Sequence, residues 1–241
     1  MRVRRFTALV LAVACLALAA PSFGQDSKSK SPDAPPADSG PDFNNQIYYR
    51  NKLEFSFDTG CLFYNTPLIL DPIMGARFAR VPDSVNYTLV PLDFALRWHL
   101  YDIRGRSFWR GNTDLALGGS YIVITQGPES RYVALIGGAR YNFVQPNWRI
   151  APYLELRGGL GLTNAKQPEE VARGEVPVGQ GQDFTFTFIM GTGIRYNFNS
   201  RYSMSIGVAF QHISNGGLST PKYYNHGINV VGPTVGFNVA L

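Results

Sequence analysis

Phe184-Thr185-Phe186-Thr187-Phe188-Ile189-Met190-Gly191-Thr192-Gly193-Ile194-Arg195-Tyr196-Asn197-Phe198 is the stretch that decides the fold. Large apolar side chains recur at nearly every second position, while threonine, glycine, Arg195 and Asn197 fill most places between. Side chains of a β-strand alternate across the sheet, so this run reads as one strand with an apolar and a polar face. Seven further segments carry the same period. They are about 48–64 (Leu53, Phe55, Phe57), 85–101 (Leu92, Phe94, Leu96, Trp98, Leu100), 113–125 (Leu115, Leu117, Tyr121, Val123) and 131–143 (Val133, Leu135, Tyr141, Phe143). The rest are 150–163 (Leu154, Leu156, Leu160, Leu162), 201–214 (Met204, Ile206, Val208, Phe210) and 228–241 (Val231, Val235, Phe237, Val239, Leu241). Together they predict an all-β chain, an eight-stranded antiparallel transmembrane β-barrel spanning 47–241.

The opposite faces place Glu54, Asp58, Asp93 and Glu155 with Arg97, Arg140, Arg157 and Arg195. An eight-stranded barrel is just wide enough for its own side chains, so these charges are expected to pair inside as a plug rather than line a pore. Counted from a periplasmic N-terminus, outward connections span roughly 20, 6, 20 and 13 residues and inward ones roughly 11, 6 and 2. Long loops outside and short turns inside is the outer-membrane pattern. A soluble eight-stranded barrel would instead turn its apolar side toward an inner cavity.

The chain opens with Arg2, Arg4 and Arg5, an apolar run from Phe6 to Ala20, and small residues before Gln25. That is the form of an export signal over 1–24, too short in its apolar part for a membrane helix. Residues 25–46 are rich in proline, serine and aspartate and are expected to be a disordered tail. Without the three signal arginines the balance is 19 Lys+Arg against 17 Asp+Glu, which gives no support for a nucleic-acid partner. Export also removes Cys15, leaving Cys61 as a single thiol that cannot form an intrachain disulfide. Cys61 is taken as a small apolar strand residue.

Phe210-Gln211-His212-Ile213-Ser214-Asn215-Gly216-Gly217 breaks the pattern. Parity puts His212 and Ser214 on the side of Met204, Ile206 and Val208, the side that meets lipid. Polar groups there are costly unless lipid is what they act on. Residues two apart on a strand lie about 6.6 Å apart and point the same way, so the imidazole is within reach of the serine hydroxyl as its general base. Asn229 belongs to the outward set of the last strand. Pairing it with His212 keeps every outward residue opposite an outward one and lets it orient the ring as a third member. Asn215 and Gly216 follow the serine and offer backbone N–H groups to an oxyanion. The same string also suits ordinary polar turn chemistry where a strand enters a loop.

His212-Ile213-Ser214-Asn215 with the following Gly-Gly, together with Asn225-His226-Gly227-Ile228-Asn229, resembles the lipid A 3-O-deacylases (PagL family). The glycine-rich strand Pro152–Leu162 looks like that family's as well, and the resemblance covers roughly 48–241. It implies an esterase with Ser214 as nucleophile and His212 as base. The implied substrate is the 3-position acyl ester of lipid A, in lipopolysaccharide of the outer membrane, and a hydroxy fatty acid is released without cofactor or metal. The family's best-known members place a glutamate where this chain has Asn229, whereas outer-membrane phospholipase A barrels resemble the present His, Ser and Asn. Alternatives are therefore a phospholipase A-type acyl hydrolase and a non-catalytic barrel with a structural or surface-interaction role. A homodimer is a further expectation. His99 is assigned to the polar filling of the lumen and His226 to a solvated loop. Arg77, Arg80, Lys166 and Arg173 fall in the two long connections expected to be outer loops, where they are either ordinary exposed loop charge or cations that meet the anionic lipopolysaccharide surface.

Overall fold

The computed structural model describes residues 42–65, 86–165, 179–219, 225 and 227–241. The expected signal peptide and residues 25–41 of the expected tail lie outside these, as do Arg77, Arg80, Lys166, Arg173 and His226. The chain divides into two units, 1–43 and 44–241, and the sheet belongs to the second. The last part of the expected tail, Phe43–Gln46, is a 3-10 helix in which Asn44 is buried.

The strands are β1 (Leu53–Gly60), β2 (Tyr64–Asn65), β3 (Thr88–His99), β4 (Gly111–Gln126), β5 (Arg131–Phe143), β6 (Ile150–Thr163), β7 (Phe184–Asn197), β8 (Tyr202–Ser214) and β9 (Ile228–Ala240). Each long strand pairs antiparallel with the next, and β9 pairs back onto β1, so the sheet closes. The two-residue β2 also pairs with β9, but one residue out of step with β1. Gly60 faces Thr234, whereas Tyr64 faces Val231. β1 and β2 are thus one barrel strand interrupted by a bulge of one extra residue, and the barrel has eight strands. Cys61 sits in this bulge, exposed and unbridged.

Turns 100–110, 144–149 and 198–201 lie at one end of the barrel. At the other end are 127–130, the 20-residue connection 164–183 and the 13-residue connection 215–227. The latter is the long-loop end, which faces outward in outer-membrane barrels. There Tyr87 Oη donates to Glu129 Oε2 at 2.7 Å and the Gln180 N–H donates to Oε1 at 2.6 Å, tying three connections together. Burial and the adjacent Glu129 carboxylate push the Tyr87 phenol above its ordinary range.

Alternation sorts the side chains as the sequence demands. Leu117, Leu135, Leu162 and Ile206 point outward and are more than half exposed. A continuous apolar exterior of this kind belongs in hydrocarbon, not water. Inside, the lumen has two unlike halves. Toward the short turns it holds the eight expected charges, joined by Lys52 and Asp114. Arg195 grips Glu54 through two 2.8 Å bonds, and Arg97 reaches Asp114 at 2.9 Å and Glu155 at 2.7 Å. Arg140 meets Glu155 and Arg157 meets Asp93, each at 3.0 Å. His99 belongs to this filling, with Nδ1 2.6 Å from Asn112 Oδ1. Toward the long loops the lumen is mainly apolar, packed with Leu89, Ile122, Ile124, Ile136, Ile189, Ile213 and Val230 alongside buried Thr185, Thr187 and Gln211. A void of about 20 Å³ between Arg157, Asp93 and Gln211 on one side and Leu62 and Ile189 on the other marks the boundary. It has the size of about one water molecule, so the barrel is a filled cylinder at this level.

Candidate active site

β8 begins as an ordinary membrane strand. Ser203, Ser205, Ala209 and Gln211 point inward and are buried, while Ile206 and Val208 point outward and are exposed. His212 and Ser214 fall on the outward set at the long-loop end. Neither is bare to lipid, however: they are 8% and 3% exposed. The direct lipid contact implied by parity is thus corrected to an outward-facing but shielded pair.

Neighbouring strands account for much of the shield. Phe186 of β7 stands directly opposite Ser214, and Phe188 opposite His212. On the other flank His212 pairs with Asn229 of β9. One step beyond the last ladder pair, Ile213 with Ile228, Gly227 comes beside Ser214. A Cβ on Gly227 would lie 3.0 Å from His212 Cε1 and 3.5 Å from Ser214 Cβ, so the chain passes this close because the residue is glycine.

His212 Nε2 lies 2.8 Å from Ser214 Oγ and Nδ1 lies 2.7 Å from Asn229 Oδ1. With Oδ1 toward the ring, Nδ1 carries the proton and donates to it. Nε2 then keeps its lone pair for the serine hydroxyl. That is the tautomer a general base needs, held by a neutral amide. From the lumen side, Thr187 Oγ1 donates to the His212 carbonyl at 3.2 Å and accepts from Gln211 Nε2 at 3.0 Å.

After Ser214 the chain turns at once. Asn215 is fully buried, its Oδ1 accepting from the Gly217 N–H at 2.8 Å and its Nδ2 donating to Ser219 Oγ at 2.7 Å. Gly216 and Gly217 have φ of 64° and 80°, the left-handed region that glycine occupies without strain. Gly217's amide is thereby engaged, whereas the Asn215 and Gly216 amides donate to no carbonyl among the described residues. Among the described residues no cluster of His, Cys, Asp and Glu could hold a metal ion.

Sequence reasoning did not single out Phe186, Phe188 or Gly227 as neighbours of the serine. Register arithmetic from the His212–Asn229 pair reaches Gly227 directly. The phenylalanines require the β7–β8 register as well.

A closed, eight-stranded, apolar-sided barrel with a filled lumen defines an outer-membrane β-barrel protein. Residues 86–238 match the profile of the family described as lipid A 3-O-deacylase (PagL), and the chain belongs to that family. Lipid A and lipopolysaccharide of the outer membrane are the substrates the family implies, while nothing in this match supports a homodimer. Similar solved structures include the outer membrane enzyme PagL (16% identity, 78% of this chain and 99% of that one, TM-score 0.46). They also include the N-terminal β-barrel domain of Pseudomonas aeruginosa OprF (16% identity, 78% and 98%, TM-score 0.42) and Neisserial surface protein A (11% identity, 79% and 97%, TM-score 0.43). No curated protein matches the chain.

Proposed function

We propose that the chain hydrolyses the 3-position acyl ester of lipid A, with Ser214 as nucleophile. Ser214 Oγ attacks the ester carbonyl carbon as His212 Nε2 takes the hydroxyl proton. The oxyanion forms beside the Asn215 and Gly216 N–H groups, which donate to no carbonyl among the described residues. Collapse breaks the bond to the sugar oxygen, and the proton held on Nε2 passes to the departing alkoxide. Water, deprotonated by the same nitrogen, then attacks the acyl-serine and releases the hydroxy fatty acid. Asn229 keeps the proton on Nδ1 throughout.

The observation that carries this reading is the unbroken Asn229–His212–Ser214 chain of hydrogen bonds, at 2.7 and 2.8 Å, on the outward face near the outer leaflet. Lipid A lies at that depth with its ester next to its hydrocarbon. The test is lipid A mass spectrometry from cells expressing the chain and its Ser214→Ala variant at equal outer-membrane levels. The parent should remove one 3-linked hydroxyacyl chain and the variant none. Persistence of the loss in the variant rules out Ser214 as nucleophile.

The neutral Asn229 favours a second reading, a barrel that keeps the family's sequence without its activity. A carboxylate stabilises an imidazolium and an amide does not. Unchanged lipid A with the parent chain present in folded form would select this reading. Lysophospholipid and free fatty acid appearing instead would select phospholipase chemistry.

A further inference from the structure

The lumen behind the proposed base holds two polar side chains that the ester chemistry does not use. Thr187 and Gln211 point inward from β7 and β8, and both are buried. Their ladder partners there are apolar. Thr187 faces Ile213, and Gln211 lies between Ile189 of β7 and Val230 of β9. Aliphatic side chains fill this level of the lumen, and a buried amide among them is costly unless its hydrogen bonds are used. Gln211 Nε2 donates to Thr187 Oγ1 at 3.0 Å, and that hydroxyl donates to the His212 carbonyl at 3.2 Å.

A threonine that reaches a carbonyl across strands is ordinary in this barrel. Thr59 does so to Pro91 at 2.7 Å and Thr192 to Tyr153 at 3.0 Å. Thr187 differs in two respects. Of these three hydroxyls, it alone is held by a side-chain donor among the described residues. The carbonyl it grips belongs to His212. With Gln211 occupying a lone pair, the hydroxyl proton is turned to that carbonyl, and the two bonds strengthen each other.

The end of β8 is where such a clamp matters. Past His212 the strand makes two more pairs toward β7, Ile213 with Thr187 and Ser214 with Phe186, and one toward β9, Ile213 with Ile228. Strand ends open more readily than strand middles. Asn229 is neutral, so no ion pair with it draws the imidazole into line, and proton transfer depends on where the backbone sets the ring.

We propose that Thr187 and Gln211 are positioning residues for His212. Gln211 fixes the Thr187 hydroxyl, the hydroxyl pins the His212 backbone from the lumen side, and the ring stays aligned between Asn229 and Ser214. This role rests on the proposed hydrolysis, in which His212 is the base.

The full chain, carrying isotope-labelled histidine and reconstituted in lipid nanodiscs, tests it as parent, Thr187→Val, Thr187→Ser and Gln211→Leu. Lipid A deacylation kinetics read the chemistry. The NMR exchange rate of the His212 Nδ1 proton, assigned by its absence from His212→Ala, reads the ring without needing activity. Thr187→Val keeps the side-chain shape and loses the hydroxyl. Its kcat should fall about five- to tenfold with KM within about twofold, and its ring proton should exchange about fivefold faster or more. Gln211→Leu should change both by about two- to threefold in the same directions. Thr187→Ser keeps the hydroxyl and should stay within about twofold of the parent in both. Should Thr187→Val fail to fold, Gln211→Leu carries the test. A folded Thr187→Val or Gln211→Leu with the parent's kcat and ring exchange overturns the proposal. So does a Thr187→Ser as impaired as the valine variant. A parent that deacylates nothing refutes the proposed hydrolysis instead. Ring exchange alone then judges the clamp, which stands if Thr187→Val speeds it and falls if it does not.

Discussion

The lumen and the outer end of β8 both keep polar groups out of water, and they do so by opposite means. In the lumen, each buried guanidinium faces at least one carboxylate, as Arg195 does Glu54 and Arg97 does Asp114 and Glu155. On the outward face, His212 and Ser214 are almost as buried, but the imidazole nitrogens meet the neutral side chains of Asn229 and Ser214. Charges that cancel one another leave nothing to offer a substrate. A neutral chain ending in a hydroxyl keeps its reactive end available. The first arrangement builds stability; in the proposed reaction the second supplies the nucleophile.

The sharpest way to break this contrast is to remove one group from each side. His212→Ala should lower deacylation by about a thousandfold or more while the barrel unfolds in urea within about 1 kcal/mol of the parent. Parallel activity and unfolding measurements check both halves. Arg97→Met should do the reverse. It strands Asp114 in the lumen and leaves Glu155 only Arg140 and Arg157, and should cost about 3–5 kcal/mol of stability. Activity per folded barrel should stay near the parent's, as read by denaturant titration of reconstituted protein. An Arg97 variant that loses activity at full stability would mean that the two regions are not separate.

Smaller changes sharpen the comparison. Asn229→Glu restores a charge beside the imidazole, and deacylation should be kept or raised, by up to about tenfold. Complete loss in a folded barrel would argue against an orienting role for this position. Gly227→Ala should reduce kcat by several-fold to about tenfold with little change in KM. Its Cβ would press on His212 Cε1, and the ring is held at both nitrogens with little room to yield. Equal decreases in substrate affinity would instead place Gly227 in lipid binding.

Much of this was legible from alternation. β5 and β6 occupy 131–143 and 150–163, the ranges that period-two reading gives. The outward pairing of Asn229 with His212 also follows from parity, because a one-residue slip would turn Val231, Val235, Phe237 and Val239 inward. The apolar half of the lumen was not legible. In Tyr121-Ile122-Val123-Ile124 both faces are hydrophobic, so alternation carries no contrast there. Nor was the bulge at Cys61–Phe63, since one extra residue in a short polar-apolar run leaves no compositional mark. The shielding of His212 and Ser214 comes from Phe186 and Gly227 on other strands, and no local pattern in β8 encodes it.

The central claim is that Ser214 is a hydroxyl made nucleophilic by His212. Purified barrel treated with a fluorophosphonate tests it most directly. Oγ should form a bond to phosphorus as fluoride leaves and His212 takes the proton, and peptide mass spectrometry should place a single adduct on Ser214. That adduct should be suppressed by lipid A and absent from His212→Ala. A barrel that deacylates lipid A while Ser214 stays unmodified, or that carries the adduct equally well without His212, would contradict the account.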